Sequence, residues 1–451
     1  MGKLVSAFSP KRSFQHLFYR PQKGYPIFDG FRAIGMMWVI LVHIVASAAM
    51  LTAAFRKTDE PLLSFQVDNT PWFLDWMWNG HLMVDMFFVL SGFLIAGLLF
   101  HEHEKTGNIR LSRFYYRRFM RLMPTYLLVA GLFYLANLPH RENLWQNLLY
   151  INNFFPHKET AAPWTWSLAV EEQFYLIFPL LTLYVLTKTQ YVMRWLLGLL
   201  AFSSLIRLVI YITDDRLYGV QMSQQMIDMD LQGHYYSVLY DNLYTRFGAF
   251  ICGIGALYVY RFYHVQVSHL FNHTIGGKLS LLAALLCLGC ILQYNVLKTS
   301  VELSDLELTL LYGFERNLYS FCMSLLFLGM LCKVSMIRPL TWFFSLRLWY
   351  PFAQLTYCAY LIHLPIVMGV ISIMAGSCPA MGFNCDYDNM NSLLVAFLIA
   401  VCLTYCISAI IYFMMERPLM SYRDFTSKEL PPARSTSTVT GSLLGRTIDI
   451  R

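Results

Sequence analysis

Apolar residues in this chain do not alternate with polar ones. They fall in long unbroken blocks separated by short basic or polar stretches, from about residue 30 to about residue 415. A helix needs roughly 20 apolar residues to cross about 30 Å of hydrocarbon, and a helix bonds its own backbone where no water is available. Ten blocks meet that length: approximately Arg32 to Phe55, Leu82 to Phe100, Leu122 to Leu138, Trp166 to Leu186, Trp195 to Thr213, Asp241 to Tyr260, Leu279 to Leu297, Glu315 to Cys332, Pro351 to Ala375 and Ser392 to Met415. The pattern predicts an all-α polytopic membrane protein with about ten transmembrane helices. Composition agrees, because a chain that is 57% hydrophobic and 14% charged cannot cover that apolar surface with polar side chains in water.

Charge sets the expected orientation. Most of the 34 Lys and Arg lie in the first 23 residues, in 101–121, in the turns holding Lys188, Arg194, Arg261 and Lys278, in the stretch with Lys333, Arg338 and Arg347, or after Arg417. The alternate loops hold only Arg56, Lys57, Arg141, Lys158, Arg216 and Lys298. Positive residues in short loops stay on the cytoplasmic side, so both termini are expected there. The net charge of +7 is then a topology signal, with no nucleic-acid partner implied. The chain divides into a basic N-terminal segment (1–24), a membrane domain (25–420) and a polar tail (421–451) whose composition suits disorder. Cys378 and Cys385 fall in one loop outside the cytoplasm, where an oxidising compartment can join them.

Ionisable side chains inside a span cost several kcal/mol and mark candidate sites. Arg32 and His43 in "FDGFRAIGMMWVILVH" are about 1100° apart on a helix, close to a whole number of turns, so they share a face. His43 then sits about 16 Å deeper than Arg32. "VDMFFVLSGFLI" places Ser91 and Gly92 halfway across, as a hydroxyl donor and a point of close approach. Arg117, Arg118 and Arg121 crowd the start of the third span, and the pair at spacing three makes a fork suited to phosphate. Glu171 and Glu172 lie near the outer edge of the fourth span, turned about 100° from one another. His363, in "YLIHLP", is a second imidazole at mid-depth. Arg207, Arg246, Glu315 and Arg316 add charge within or at the rims of spans, which predicts an interior polar network reached by water.

Taken in order, "FDGFRAIGMMWVILVH", "VDMFFVLSGFLI", "FYYRRFMRLMPTY", "WSLAVEEQFYLIFP", "YLIHLP" and "ERPLM" resemble the signature blocks of the acyltransferase family 3 membrane proteins, over roughly Tyr25 to Met420. The resemblance implies transfer of an acyl group, commonly acetyl, from cytoplasmic acyl-coenzyme A to a hydroxyl of a glycan or lipid-linked acceptor. It implies that His43 is the catalytic residue, with Arg32 on the same face, and that Arg118 and Arg121, beside Arg117, hold the phosphates of the donor. Ser91, Gly92, Glu171 and Glu172 fall on further family blocks. Ala33 stands where a glycine is frequent.

Chemistry supports the same roles. A hydroxyl acceptor needs a base within hydrogen-bond reach, which an imidazole supplies; His43 serves either as general base in direct transfer or as a transient acyl carrier. Ser91 or an arginine can stabilise charge on the thioester oxygen. Glu171 or Glu172 orients the acceptor or pairs with an imidazole. Acetyl-CoA or another acyl-CoA is the expected donor, membrane lipids surround the chain, and no metal is expected. The expected location is a multi-pass place in the membrane, the inner one in a bacterium. The rival class is a secondary transporter working through intramembrane His, Glu and Arg, which predicts symmetric broken helices.

Overall fold

A computed structural model describes residues 10–22, 24–56, 67–377 and 390–429. The loop with Cys378 and Cys385 lies outside the described residues. In chain order the principal helices are α1 (Pro10–Phe18), α2 (Pro26–Arg56), α3 (Leu82–Thr106), α4 (Leu111–Leu135), α5 (Trp166–Leu181), α6 (Val192–Thr213), α7 (Leu243–His273), α8 (Ile275–Gln293), α9 (Asp305–Leu331), α10 (Arg338–Phe344), α11 (Trp349–Ser377), α12 (Met390–Ile411) and α13 (Arg417–Glu429). Shorter helical turns fill the connections, and no strand occurs among the described residues.

Each of the ten expected spans coincides with one of these helices, yet the count is coarser than ten. Among the described residues eight helices are by themselves long and apolar enough to cross a membrane, and a ninth span results if the bent pair Asp305–Leu331 and Ser335–Phe344 is one unit. The pair bends by 100°. Helix α4 falls short for a physical reason: after Arg121 its apolar part runs only from Leu122 to Leu135, which rises about 21 Å at 1.5 Å per residue. Helix α7 runs past the expected turn to His273, with a local break at Tyr263. Several apolar helices of this length make the chain a multi-pass integral membrane protein.

Side-chain contacts show that the helices run up and down. At one end, where the basic turns gather, Arg261 at the far part of α7 pairs with Glu104 at the end of α3 through Nε at 2.7 Å. There too Arg20 donates to the Ser345 and Leu346 carbonyls at 2.7 and 2.9 Å and pairs with Asp29 at 2.8 Å. At the opposite end, Lys298 reaches Asp75 at 2.9 Å and His157 bonds Asp241 at 2.7 Å. Lys158 and Arg216 both bond Asp230, holding its carboxyl below its ordinary range. Alternate connections therefore share an end.

Helix α2 packs chiefly on α11, and α3 on α7. The second crossing is built from glycine. A Cβ on Gly92 would run into the Phe250 backbone, and one on Gly253 into the Val89 carbonyl. Gly92 thus lets two backbones touch, the usual means of tight association where lipid offers no hydrophobic driving force. Both neighbours are main chain and cannot swing aside. Gly253→Ala is expected to destabilise the protein by about 1–3 kcal/mol, read as a lower apparent melting temperature in detergent. Gly131→Ala, on a helix face with nothing within 4 Å, should leave that temperature unchanged or raise it; equal effects at the two sites would contradict the crossing.

Candidate active site

Helices α2, α3, α4, α5 and α11 surround one cavity of about 170 Å³. Its polar wall contains Arg32 from α2, Ser91 from α3, Arg118 and Arg121 from α4, Ser167, Glu171 and Tyr175 from α5, and Tyr360 from α11. The apolar remainder includes Phe87, Phe88 and Leu168. Four separate stretches of sequence therefore deliver predicted site residues to one space.

Hydrogen bonds order the interior. Ser91 donates its hydroxyl to Glu171 Oε1, and the Tyr175 hydroxyl donates to Ser91 Oγ at 3.2 Å. The Arg118 guanidinium lies 3.9 Å from the Tyr175 ring centroid, a cation–π contact. On the opposite wall the Tyr360 hydroxyl bonds the Trp164 carbonyl at 2.7 Å and Ser167 Oγ at 2.6 Å. Because a carbonyl only accepts, Tyr360 donates to Trp164 and Ser167 donates to Tyr360. Three guanidiniums face the cavity with Glu171 as its one lining carboxylate, so an anionic guest is favoured there. Arg118 Nε is buried with no partner, a donor left for such a guest.

Not every expected residue reaches this wall. Gly92 serves the helix crossing. Arg117 is exposed and does not line the cavity. Glu172 also stays off the wall, with one carboxylate oxygen buried and unpartnered; the 100° turn between neighbours on a helix sends the two glutamates apart. His43 is half-buried and is absent from the lining. Its Nδ1 bonds the Val39 carbonyl at 2.7 Å, and its ring meets His363 with centroids 4.9 Å apart. His363 in turn lies 5.4 Å from the Tyr360 ring, so the two imidazoles form the next layer behind a cavity-lining tyrosine.

A second charged group is closed. Asp85 accepts from Arg246 Nη1 at 2.9 and 3.0 Å and from Arg316 Nη1 at 2.7 Å, with all three side chains 4% exposed or less. Arg207 caps the Tyr312 and Thr245 carbonyls nearby at 2.9 and 3.2 Å. The expected single water-reached network is thus two clusters, one open and one packed shut. Sequence reasoning did not single out Tyr175 or Tyr360. The signal was present: Tyr175 follows Glu171 by four residues and Tyr360 precedes His363 by three, which places each pair on one helix face.

The family model described as the acyltransferase domain of the acyltransferase-3 type matches residues 25–413. The chain belongs to that family. It is similar to nose resistant to fluoxetine protein 6 of Caenorhabditis elegans, 28% identical over 406 residues covering 76% of this chain and 45% of the relative. It also resembles O-acetyltransferase OatA of Staphylococcus aureus (strain NCTC 8325 / PS 47), 31% identical over 189 residues covering 36% of this chain and 25% of that protein. The chain thus spans less than half the length of these curated relatives. No solved structure matches it. The transporter alternative finds no support in these likenesses. Among the described residues no group of three or more His, Cys, Asp or Glu could hold a metal ion.

The two charged clusters differ in what their loss should do. Asp85→Ala leaves two buried guanidiniums unpaired, and removing one partner of a buried pair costs about 3–5 kcal/mol. Ser91→Ala removes a hydroxyl at a cavity wall and should cost about 1 kcal/mol. Thermal unfolding of the purified variants in detergent checks the order; a larger loss from Ser91→Ala would reverse the structural and functional assignments.

Proposed function

We propose that this chain is a membrane O-acyltransferase that moves an acyl group, acetyl in the first instance, from cytoplasmic acyl-coenzyme A to a hydroxyl of a glycan or lipid-linked acceptor. The observation that carries this reading is the cavity where Arg32, Arg118 and Arg121 converge on the Ser91–Glu171 pair. Both termini and the basic turns would face the cytoplasm, following the positive-inside rule. OatA carries O-acetyltransferase in its name, and this chain shares part of its sequence with that protein.

The residues suit an anionic donor. Arg118 and Arg121 would take the donor phosphates at the basic end, where guanidinium forks match phosphate geometry. A cavity of about 170 Å³ is smaller than the roughly 300–1,000 Å³ pockets that hold drug-sized ligands. It therefore suits the slender pantetheine arm and acyl end, with the nucleotide left outside. The apolar wall of Phe87, Phe88 and Leu168 would exclude water from the thioester and strengthen the field of the arginines.

Transfer then requires three events. The acceptor hydroxyl loses its proton to His43, its oxygen forms a bond to the thioester carbon, and the carbon–sulfur bond breaks to release the coenzyme thiolate. The imidazole returns the proton to sulfur. The Ser91 proton is already committed to Glu171, so stabilisation of the thioester oxyanion falls to the guanidiniums rather than to Ser91. Ser91, Tyr175 and Glu171 fix the wall against which the arm lies.

Labelled acetyl transfer from acetyl-CoA into membranes containing the chain is the direct test. His43→Ala should lower transfer at least about 100-fold, the lower range for a lost general base; transfer equal to the parent would overturn the reading. Arg118→Ala combined with Arg121→Ala should raise the apparent KM for acetyl-CoA about 10-fold or more, consistent with loss of charge-assisted phosphate bonds. An unchanged KM would return these arginines to a purely topological role.

A further inference from the structure

One face of α3 belongs to the cavity along much of its length. Ser91, Leu94, Ile95 and Leu98 all line it, at spacings of three, four and seven residues that stack on one side of a helix. From Leu82 to Phe100, Leu94 and Leu98 are the two exposed residues, at 37% and 60%, and all others are buried or half-buried. Both leucines therefore face the cavity wall and the outside of the bundle at once.

Helix contacts account for this opening. Helix α3 packs on α7, α9 and α2, and α4 packs on α11 and α13, while α3 and α4 do not pack along each other. Both still supply cavity wall, α4 through Arg118, Arg121 and Leu122. The wall shared by these two helices thus has no close helix-to-helix seam. Depth decides what the opening meets. Leu98 and Leu94 lie about 9 and 15 Å in from Glu104 at 1.5 Å per residue, and Glu104 pairs with Arg261 at the basic end. Both leucines fall within a hydrocarbon layer of about 30 Å, on the basic-end side of Ser91. With Leu94, Ile95 and Leu98 as its α3 edge, the outlet offers no hydrogen bond to a sugar; it suits a hydrocarbon chain.

We propose that this outlet holds the hydrocarbon tail of the acyl donor, so that the chain takes medium-chain acyl-coenzyme A as well as acetyl-CoA, with Leu94 and Leu98 setting the preference for tail length. The proposal rests on the reading of the arginine cavity as the donor site. A space of about 170 Å³ that takes the pantetheine arm leaves little room for a tail, so a tail longer than acetyl runs out of it. From a thioester beside Ser91, the path along α3 passes Leu94 after about 4.5 Å and Leu98 after about 10.5 Å. An octanoyl tail covers that distance, whereas the acetyl methyl stops short of Leu94. The bonds exchanged are those of acetyl transfer: the acceptor oxygen bonds the carbonyl carbon, the carbon–sulfur bond breaks, and the acceptor proton passes through His43 to sulfur. Only the substituent on the carbonyl carbon differs. Each methylene drawn from water into the outlet favours donor binding about fourfold.

The test compares transfer of labelled acetyl and labelled octanoyl groups from their coenzyme A thioesters into membranes carrying the full chain, with membranes lacking it as background. The parent should use octanoyl-CoA with a kcat/KM at least about one third of that for acetyl-CoA, and Leu98→Trp, which fills the outlet, should lower the octanoyl-to-acetyl ratio at least about 10-fold. If the tryptophan variant fails to accumulate, as read by gel filtration in detergent, Leu98→Phe takes its place and the same ratio is measured. A parent that transfers acetyl but uses octanoyl-CoA below about a tenth as well overturns the proposal and leaves the acetyltransferase reading standing. A ratio within about twofold of the parent in the variant also overturns it. Equal loss of both donors overturns it too, and gives the leucines to the pantetheine arm or to a lipid-linked acceptor. If the parent transfers neither group, the acyltransferase reading falls and the proposal with it.

Discussion

A guanidinium carried into an apolar helix bundle must find an anion, a carbonyl or water, and that requirement organises this protein. Two groups of arginines meet it in opposite ways. Arg246 and Arg316 converge on Asp85, and every one of these side chains is sealed from solvent. Arg32, Arg118 and Arg121 open instead into a cavity with one lining carboxylate, itself engaged by Ser91. The first cluster ties α3, α7 and α9 together at a fixed depth. The second keeps unspent positive charge facing a space, which is the state a binding site for an anionic donor needs.

The packing explains why both clusters survive. Gly92 and Gly253 draw α3 and α7 into backbone contact, and this close crossing lets Asp85 reach Arg246 on the neighbouring helix. Six residues further along α3, Ser91 falls on the cavity side, so the helix that holds the closed cluster also forms a wall of the open one. The interaction that stabilises the bundle thus positions the chemistry.

Much of the architecture was legible in the order of residues. The apolar blocks located the helices because a lipid-spanning helix advertises itself by composition, and the Lys and Arg distribution sorted the turns between two ends. Span counting was less secure where length and charge conflict. Helix α4 has four arginines up to Arg121, with Arg110 just before it, and a short apolar remainder, and α9 joins α10 through a 100° bend that no breaker residue between Leu331 and Ser335 announces. Arg32, Ser91, Arg118, Arg121 and Glu171 were recognisable as polar residues in apolar surroundings, and the fold gathers them. The identity of the partners was hidden. Asp85 lies 161 positions from Arg246 and 231 from Arg316, and His43 meets His363 across a similarly long separation. Helical periodicity assigns a face but says nothing of which helix packs on it. For that reason Gly92 read only as a point of close approach, and the fold supplies α7 as the neighbour, while the depth of His43 was legible but its place one layer behind Tyr360 was not.

The account turns on a donor that enters the arginine cavity by its pantetheine arm and brings its sulfur toward the imidazole pair. Cryo-electron microscopy of the full chain with a non-hydrolysable acetyl-CoA analogue tests this most directly. The predicted map places the phosphates on Arg118 and Arg121, threads the arm past Ser91 and Tyr175, and ends the acyl group beside Tyr360 on the side of His43. Density for the analogue outside this cavity, or an acyl end pointing away from both imidazoles, would contradict the account.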